Sequence, residues 1–172
     1  MALIKSVRGY TPKFGKECWL AENCTVVGEV TMGEKSTVWF NAVIRGDVNS
    51  IEIGDRTNVQ DNVTIHGTFE KAATKIGNDV SIGHNAMIHG CTLEDNVLIG
   101  MGAIVMDGAV IKSGSIIAAG AVVLEGTIVE ENSLYAGMPA KKIKDISGKN
   151  AEMLTRISGN YIRYASWFKD NE

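Results

Sequence analysis

Excess positive charge, proline, cysteine and long apolar runs are all scarce in this 172-residue chain, and each scarcity closes off a class of protein. Its 17 basic residues are outnumbered by 20 acidic ones, for a formal net charge of -3, and no basic patch advertises nucleic acid. The opening residues MALIKSVRGYTPKFGKE hold no apolar stretch as long as a signal peptide or membrane span requires. The expectation is therefore no membrane and a cytoplasmic location. Cys18, Cys24 and Cys91 are odd in number and show no CxxC spacing. They read as free thiols in a reducing compartment rather than as a metal cluster or a disulfide framework.

What the chain does have is a beat of six. From Leu93 an aliphatic residue returns at Ile99, Val105, Ile111, Ile117, Val123 and Val129. A small residue occupies the fifth place of most hexads, at Ala103, Ala109, Ser115, Ala121, Thr127 and Ser133. Earlier stretches keep the rhythm through Val26, Met32, Val38 and Ile44, through Ile53, Val59 and Ile65, and through Ile76, Ile82 and Ile88. Neither a helix nor an alternating strand has that period. A hexapeptide coil does: each hexad is a short strand plus a turn, three hexads close a triangular coil, and stacked coils bury an aliphatic column. The fold class expected is all-β, a parallel β-helix of hexapeptide repeats. Gly54, Asp55, Gly77, Asn78, Asp95, Asn96 and Gly114 supply turn chemistry.

After the repeat, Leu154, Ile157, Tyr161, Tyr164 and Phe168 follow helical spacing. The chain thus divides into residues 1–146, a β-helix with an N-terminal strand segment, and residues 147–172, a C-terminal α-helix packed on it. Ser147 is the start signal, and Gly159 makes the helix depend on packing rather than propensity.

The three histidines, His66, His84 and His89, lie close together in sequence. Three imidazoles with a fourth position left to water describe an open, catalytic metal site; imidazole suits zinc, with ferrous iron or cobalt also accepted. Assigning hexads to three faces sharpens this. Ile44, Ile65 and Ile88 open face three on successive coils, so Arg45, His66 and His89 form one column with rungs about 4.8 Å apart. Val38, Val59 and Ile82 open face two, which places Asp61 beneath His84. His66 and His89 can grip one metal, whereas His84 belongs to another face. The third ligand is expected from another subunit, in a ring of three closed by heterologous contacts. Arg45 of one chain would then face Asp61 of the next.

The strings RGDVNSIEIGDRTNVQDNVTIH and IGHNAMIHG resemble the gamma-class carbonic anhydrase family. That resemblance implies a left-handed β-helix assembled as a homotrimer, with reversible hydration of carbon dioxide to bicarbonate by metal-bound hydroxide. It implies metal held by His66 and His89 of one subunit and His84 of the next. Arg45 resembles the family arginine that bridges subunits and holds bicarbonate, Asp61 its acidic partner, and Asp47 the support of that network. Gln60 resembles the residue bonded to the metal's water, Asn58 the one orienting Gln60, and Tyr161 a tyrosine of shorter members. The acidic proton shuttles of fully active members are not evident: Val48 follows Asp47, and Glu70 is the local candidate. Two other readings follow from the same residues: a coenzyme A dependent hexapeptide acyltransferase, and a metal-binding trimer with little turnover.

Overall fold

The computed structural model describes residues 1–147 and 149–169. The hexad beat folds as a parallel β-solenoid of about 7 turns followed by one helix. Openers stack as the period demands: Leu93 pairs with Ile111 and Ile111 with Val129 on face one, while Ile82 pairs with Ile99 and Ile99 with Ile117 on face two. On face three Ile65 pairs with Ile88, Ile88 with Val105, and Val105 with Val123. These openers are buried and form one continuous core. Parallel sheets covered on their inner side take this Val/Ile-rich composition.

Both irregularities of the beat have structural causes. The extra residues after Arg45 do not make a loop. They lie within one strand, Val43–Ile53, which pairs with Thr25–Met32 across a register shift between Gly28 and Val30. The two long strands carry hydrogen bonding from face three to face one, so one sheet covers both faces and a second covers face two. The stretch after His66 does leave the prism, as a small hairpin closed by a Thr68–Ala72 bridge, with Glu70 exposed at its left-handed tip (φ 51°).

Turn chemistry differs from expectation in one respect. Gly54 and Gly77 are not the left-handed residues of their corners; Arg56 (φ 53°) and Asp79 (φ 56°) are. Those two side chains pair across rungs, with Arg56 donating to both carboxylate oxygens of Asp79 at 2.9 and 2.7 Å. The glycines are needed for closeness instead: a Cβ on Gly54 would stand 2.6 Å from the Gly77 backbone. Between them Asp55, Asn78 and Asp95 form a ladder, each side-chain oxygen accepting a backbone N–H from the rung below at 2.7–2.8 Å.

The C-terminal end of face two is closed by an antiparallel strand, Lys141–Asp145, whose lysines discourage further pairing. The helix spans Lys149–Lys169, so Ser147 precedes it by two residues; residues 148 and 170–172 of the expected helical segment lie outside the described residues. It runs down face two. Leu154, Ser158 and Ala165 are buried, and Phe168 packs on Trp19, Trp39 and Phe40 with ring centroids 5.3–5.8 Å apart. No helix among the described residues is long and apolar enough to cross a membrane.

Candidate metal centre

Strand alternation turns the residue after each buried opener outward. On face three this builds a column. Ile44, Ile65 and Ile88 are in register, and His66 pairs directly with His89 across neighbouring strands. The two imidazoles meet at 64°, with centroids 5.2 Å apart and His66 Nδ1 only 3.2 Å from His89 Nε2. Arg45 follows Ile44 on the rung below, and its Nη2 reaches to 3.4 Å from His66 Nδ1.

Carboxylates on the far sides of both rings decide what faces that 3.2 Å gap. Asp47 Oδ1 lies 3.1 Å from His66 Nε2, and Asp107 Oδ1 lies 2.5 Å from His89 Nδ1. Each carboxylate accepts an N–H, so each neutral ring presents its other nitrogen as a lone pair. Two lone pairs then converge on one point. Burial is the main cause that lowers the pKa of His66, with Arg45 and His89 adding to it and Asp47 opposing, so a bridging proton is disfavoured. A tetrahedral cation with bonds of about 2.0–2.1 Å needs nitrogens about 3.3 Å apart. The pair fits such a cation.

Both carboxylates are held ionised. Burial raises the pKa of Asp47, but hydrogen bonds from Arg45, at 2.6 Å, and His66 outweigh it and the net shift is downward. Asp107 is likewise lowered against its burial, by the Thr68 hydroxyl at 2.5 Å and by His89. The Thr68–Asp107–His89 chain is not among the sequence expectations. A signal for it exists: Asp107 is two places beyond the opener Val105, on the rung that follows His89.

His84 is placed as the face assignment predicts. Its Nδ1 lies 2.8 Å from Asp61 Oδ2 of the same chain, directly across one rung, which leaves Nε2 as the free lone pair. Tyr161 from the helix comes to 3.5 Å of that nitrogen; desolvation in its half-buried position pushes its hydroxyl up to about 12, so it is protonated at neutral pH. Next to it, Gln60 donates to Asn58 Oδ1 at 3.0 Å, and Asn58 in turn donates to Ser81 Oγ at 2.8 Å. Asn58 and Gln60 are buried. The chain therefore gathers two clusters, Arg45–Asp47–His66–His89–Asp107 and Asn58–Gln60–Asp61–His84–Tyr161. Among the described residues no group of three or more ligating side chains meets at one point. Within the chain Arg45 is paired to Asp47 and Asp61 to His84.

Comparison with known proteins gives the chain a lineage. Residues 73–105 and 90–125 match the family described as bacterial transferase hexapeptide (six repeats). A probable carbonic anhydrase of Methanocaldococcus jannaschii is 51% identical over 149 residues, covering 87% of this chain and 91% of that protein. The mitochondrial gamma carbonic anhydrase 2 of Arabidopsis thaliana is 36% identical over 94% of this chain; the chain spans 60% of that protein's length. The crystal structure of a hexapeptide transferase family protein from Anaplasma phagocytophilum superposes with a TM-score of 0.93 at 37% identity, covering 96% of this chain and 98% of the other.

Proposed function

Because the chain belongs to the gamma-class carbonic anhydrase family, we propose that it hydrates carbon dioxide reversibly to bicarbonate, as a homotrimer with one metal site between each pair of protomers. The observation that carries this reading is the pair of facing lone pairs on His66 and His89. The separate His84, its Nε2 freed by Asp61, supports the division of ligands between chains. Support for the trimer also comes from the surface beside the histidines. Above His89 the same outward column continues as Met106 and Leu124, flanked by Met87 and Ile104, and these four side chains are 38–48% exposed. A contiguous apolar patch of this kind is normally covered by a partner.

His66 and His89 of one protomer and His84 of the next would hold a divalent metal, zinc in the first instance and iron or cobalt by the same imidazole chemistry, which would supply a bound water of near-neutral pKa. The chain's own groups do the rest. Asp47, Asp61 and Asp107 fix the three histidines in the tautomers that bind. Gln60, immobilised through Asn58, aligns the attacking oxygen, and Arg45, steered by Asp47, holds the bicarbonate formed. Tyr161 closes the helix side and donates a hydrogen bond there. Proton release to solvent falls to Glu70 or to buffer, since Val48 offers no carboxylate. A metal-bearing trimer with slow turnover is the second reading that this gap favours. We also take the protein to be cytoplasmic, which its three free cysteines support.

Metal content, native mass and hydration rate measured together on anaerobically purified protein test the proposal. Hydration above the buffer rate that vanishes with the metal upholds it. Hydration untouched by metal removal sinks it, and acetyl transfer that persists in chelator would favour an acyltransferase.

A further inference from the structure

The column that follows each opener on face two shrinks as it climbs: Trp39 and Gln60 give way to Gly83, Gly100 and Ala118. The helix does not follow the prism inward. Ile157, Asn160, Tyr161 and Tyr164, one stripe at i, i+3, i+4 and i+7, stand over the bare rungs and roof a cavity of about 380 Å³. Its floor cannot be filled by larger side chains of this chain, because a Cβ on Gly83 would lie 2.8 Å from Ile99 O and Met101 N. Leu98, Ile99, Met101 and Ala119 make the walls apolar. At one end lie three polar groups of the candidate site, Gln60, His84 and the Tyr161 hydroxyl, and Asn160 and Tyr164 add two more from the helix.

The size does not suit the proposed reaction. At about 30 Å³ per water the hollow has room for a dozen waters, and carbon dioxide or bicarbonate would fill only a corner. It falls instead in the range of pockets that enclose organic ligands, apolar with a few convergent polar groups. The geometry points to a second ligand class for this site: monocarboxylates with an aliphatic or aromatic tail, the head accepting hydrogen bonds from the Tyr161 hydroxyl and the second N–H of Gln60 beside the metal that His84 would help hold, the tail lying between the helix and Gly83–Gly100. The head's place rests on the metal-site reading proposed above.

Calorimetry of acetate, butanoate and hexanoate on the zinc-loaded trimer tests this, with carbon dioxide hydration measured on the same preparation. Each added CH₂ that enters the hollow should tighten binding about fourfold, and hexanoate should compete with hydration more strongly than acetate. Ala119→Trp, a change at an exposed wall residue, should flatten the series while leaving acetate binding, native mass and hydration unchanged. Ile157→Trp does the same from the helix side if the first variant does not assemble. A flat series in the unmodified protein overturns the proposal, as does a gradient that survives both tryptophans. The two readings separate cleanly: hydration with a flat series removes the cavity ligand and keeps the anhydrase, and a gradient without hydration does the reverse.

Discussion

Asp61 Oδ2 sits 2.8 Å from His84 Nδ1, one rung apart on face two, so the lone pair of His84 lies on Nε2, the nitrogen that the Tyr161 hydroxyl approaches to 3.5 Å. In the proposed metal site that nitrogen is the one offered to the cation.

The proposed sharing of metal ligands between protomers predicts complementation. His84→Ala and His89→Ala should each abolish metal binding as homotrimers. Mixed by co-refolding in equal amounts, they should recover about one quarter of the wild-type metal, since a ring of three with both kinds of subunit has one intact interface. No recovery, measured by metal analysis of the isolated trimer, would place all three ligands within one chain.

Asp107 should matter to the metal more than to the fold. Asp107→Ala frees His89 to rotate and to change tautomer, and metal affinity measured by chelator competition should fall about 10–100-fold. Asp107→Asn should recover part of it by accepting the same N–H, and Thr68→Ala should show a smaller loss. Equal affinities in all three variants would rule out a positioning role.

Burial pushes the Cys24 thiol up to about 11 and the Cys91 thiol up to about 12. At pH 8 an ordinary thiol is partly thiolate, whereas these two should resist alkylation in the native protein and react only on unfolding. Because their folded pKa values lie above the 9.0 of an ordinary thiol, their contribution to stability is complete below that value and is lost as pH rises through 11 to 12. Thermal melts from about pH 8 to about pH 11 should therefore show declining stability, less so in Cys91→Ala relative to its own neutral-pH value.

Two glycines separate crowding from conformation. Gly159 lies exposed on the helix, and a methyl group added there would find nothing within 4 Å beyond the helix's own neighbouring backbone, so Gly159→Ala should stabilise by up to about 1 kcal/mol. Gly54→Ala meets the Gly77 backbone at 2.6 Å and should destabilise by about 1–3 kcal/mol. Chemical denaturation distinguishes the signs.

Much of this is legible from residues alone because one period controls both core and surface. With Ile65 and Ile88 as stacked openers, the positions of His66 and His89 follow from strand alternation, and Asp61 under His84 follows from the same count. What stays hidden depends on side-chain reach. Asp107 lies on a diagonal between rungs, so column counting does not connect it to His89. The left-handed turn at Arg56 falls on a residue with no backbone preference for it, unlike Asp79; the cross-rung charge pairing and the tight glycines hold that shape. The Val43–Ile53 strand looks like an insertion in sequence because a bulge adds residues without ending the hydrogen bonding.

The aromatic contact between Trp19 and Phe168 has a consequence for how the molecule comes apart. A stack of coils is a one-dimensional array, in which each rung leans only on its neighbours and the outermost can peel away one at a time. Here a segment late in the chain reaches back across several rungs to clasp a residue near the beginning, turning a ladder into a hoop. Fraying from the first coil then requires the helix to let go as well, and unfolding should proceed as one event rather than rung by rung.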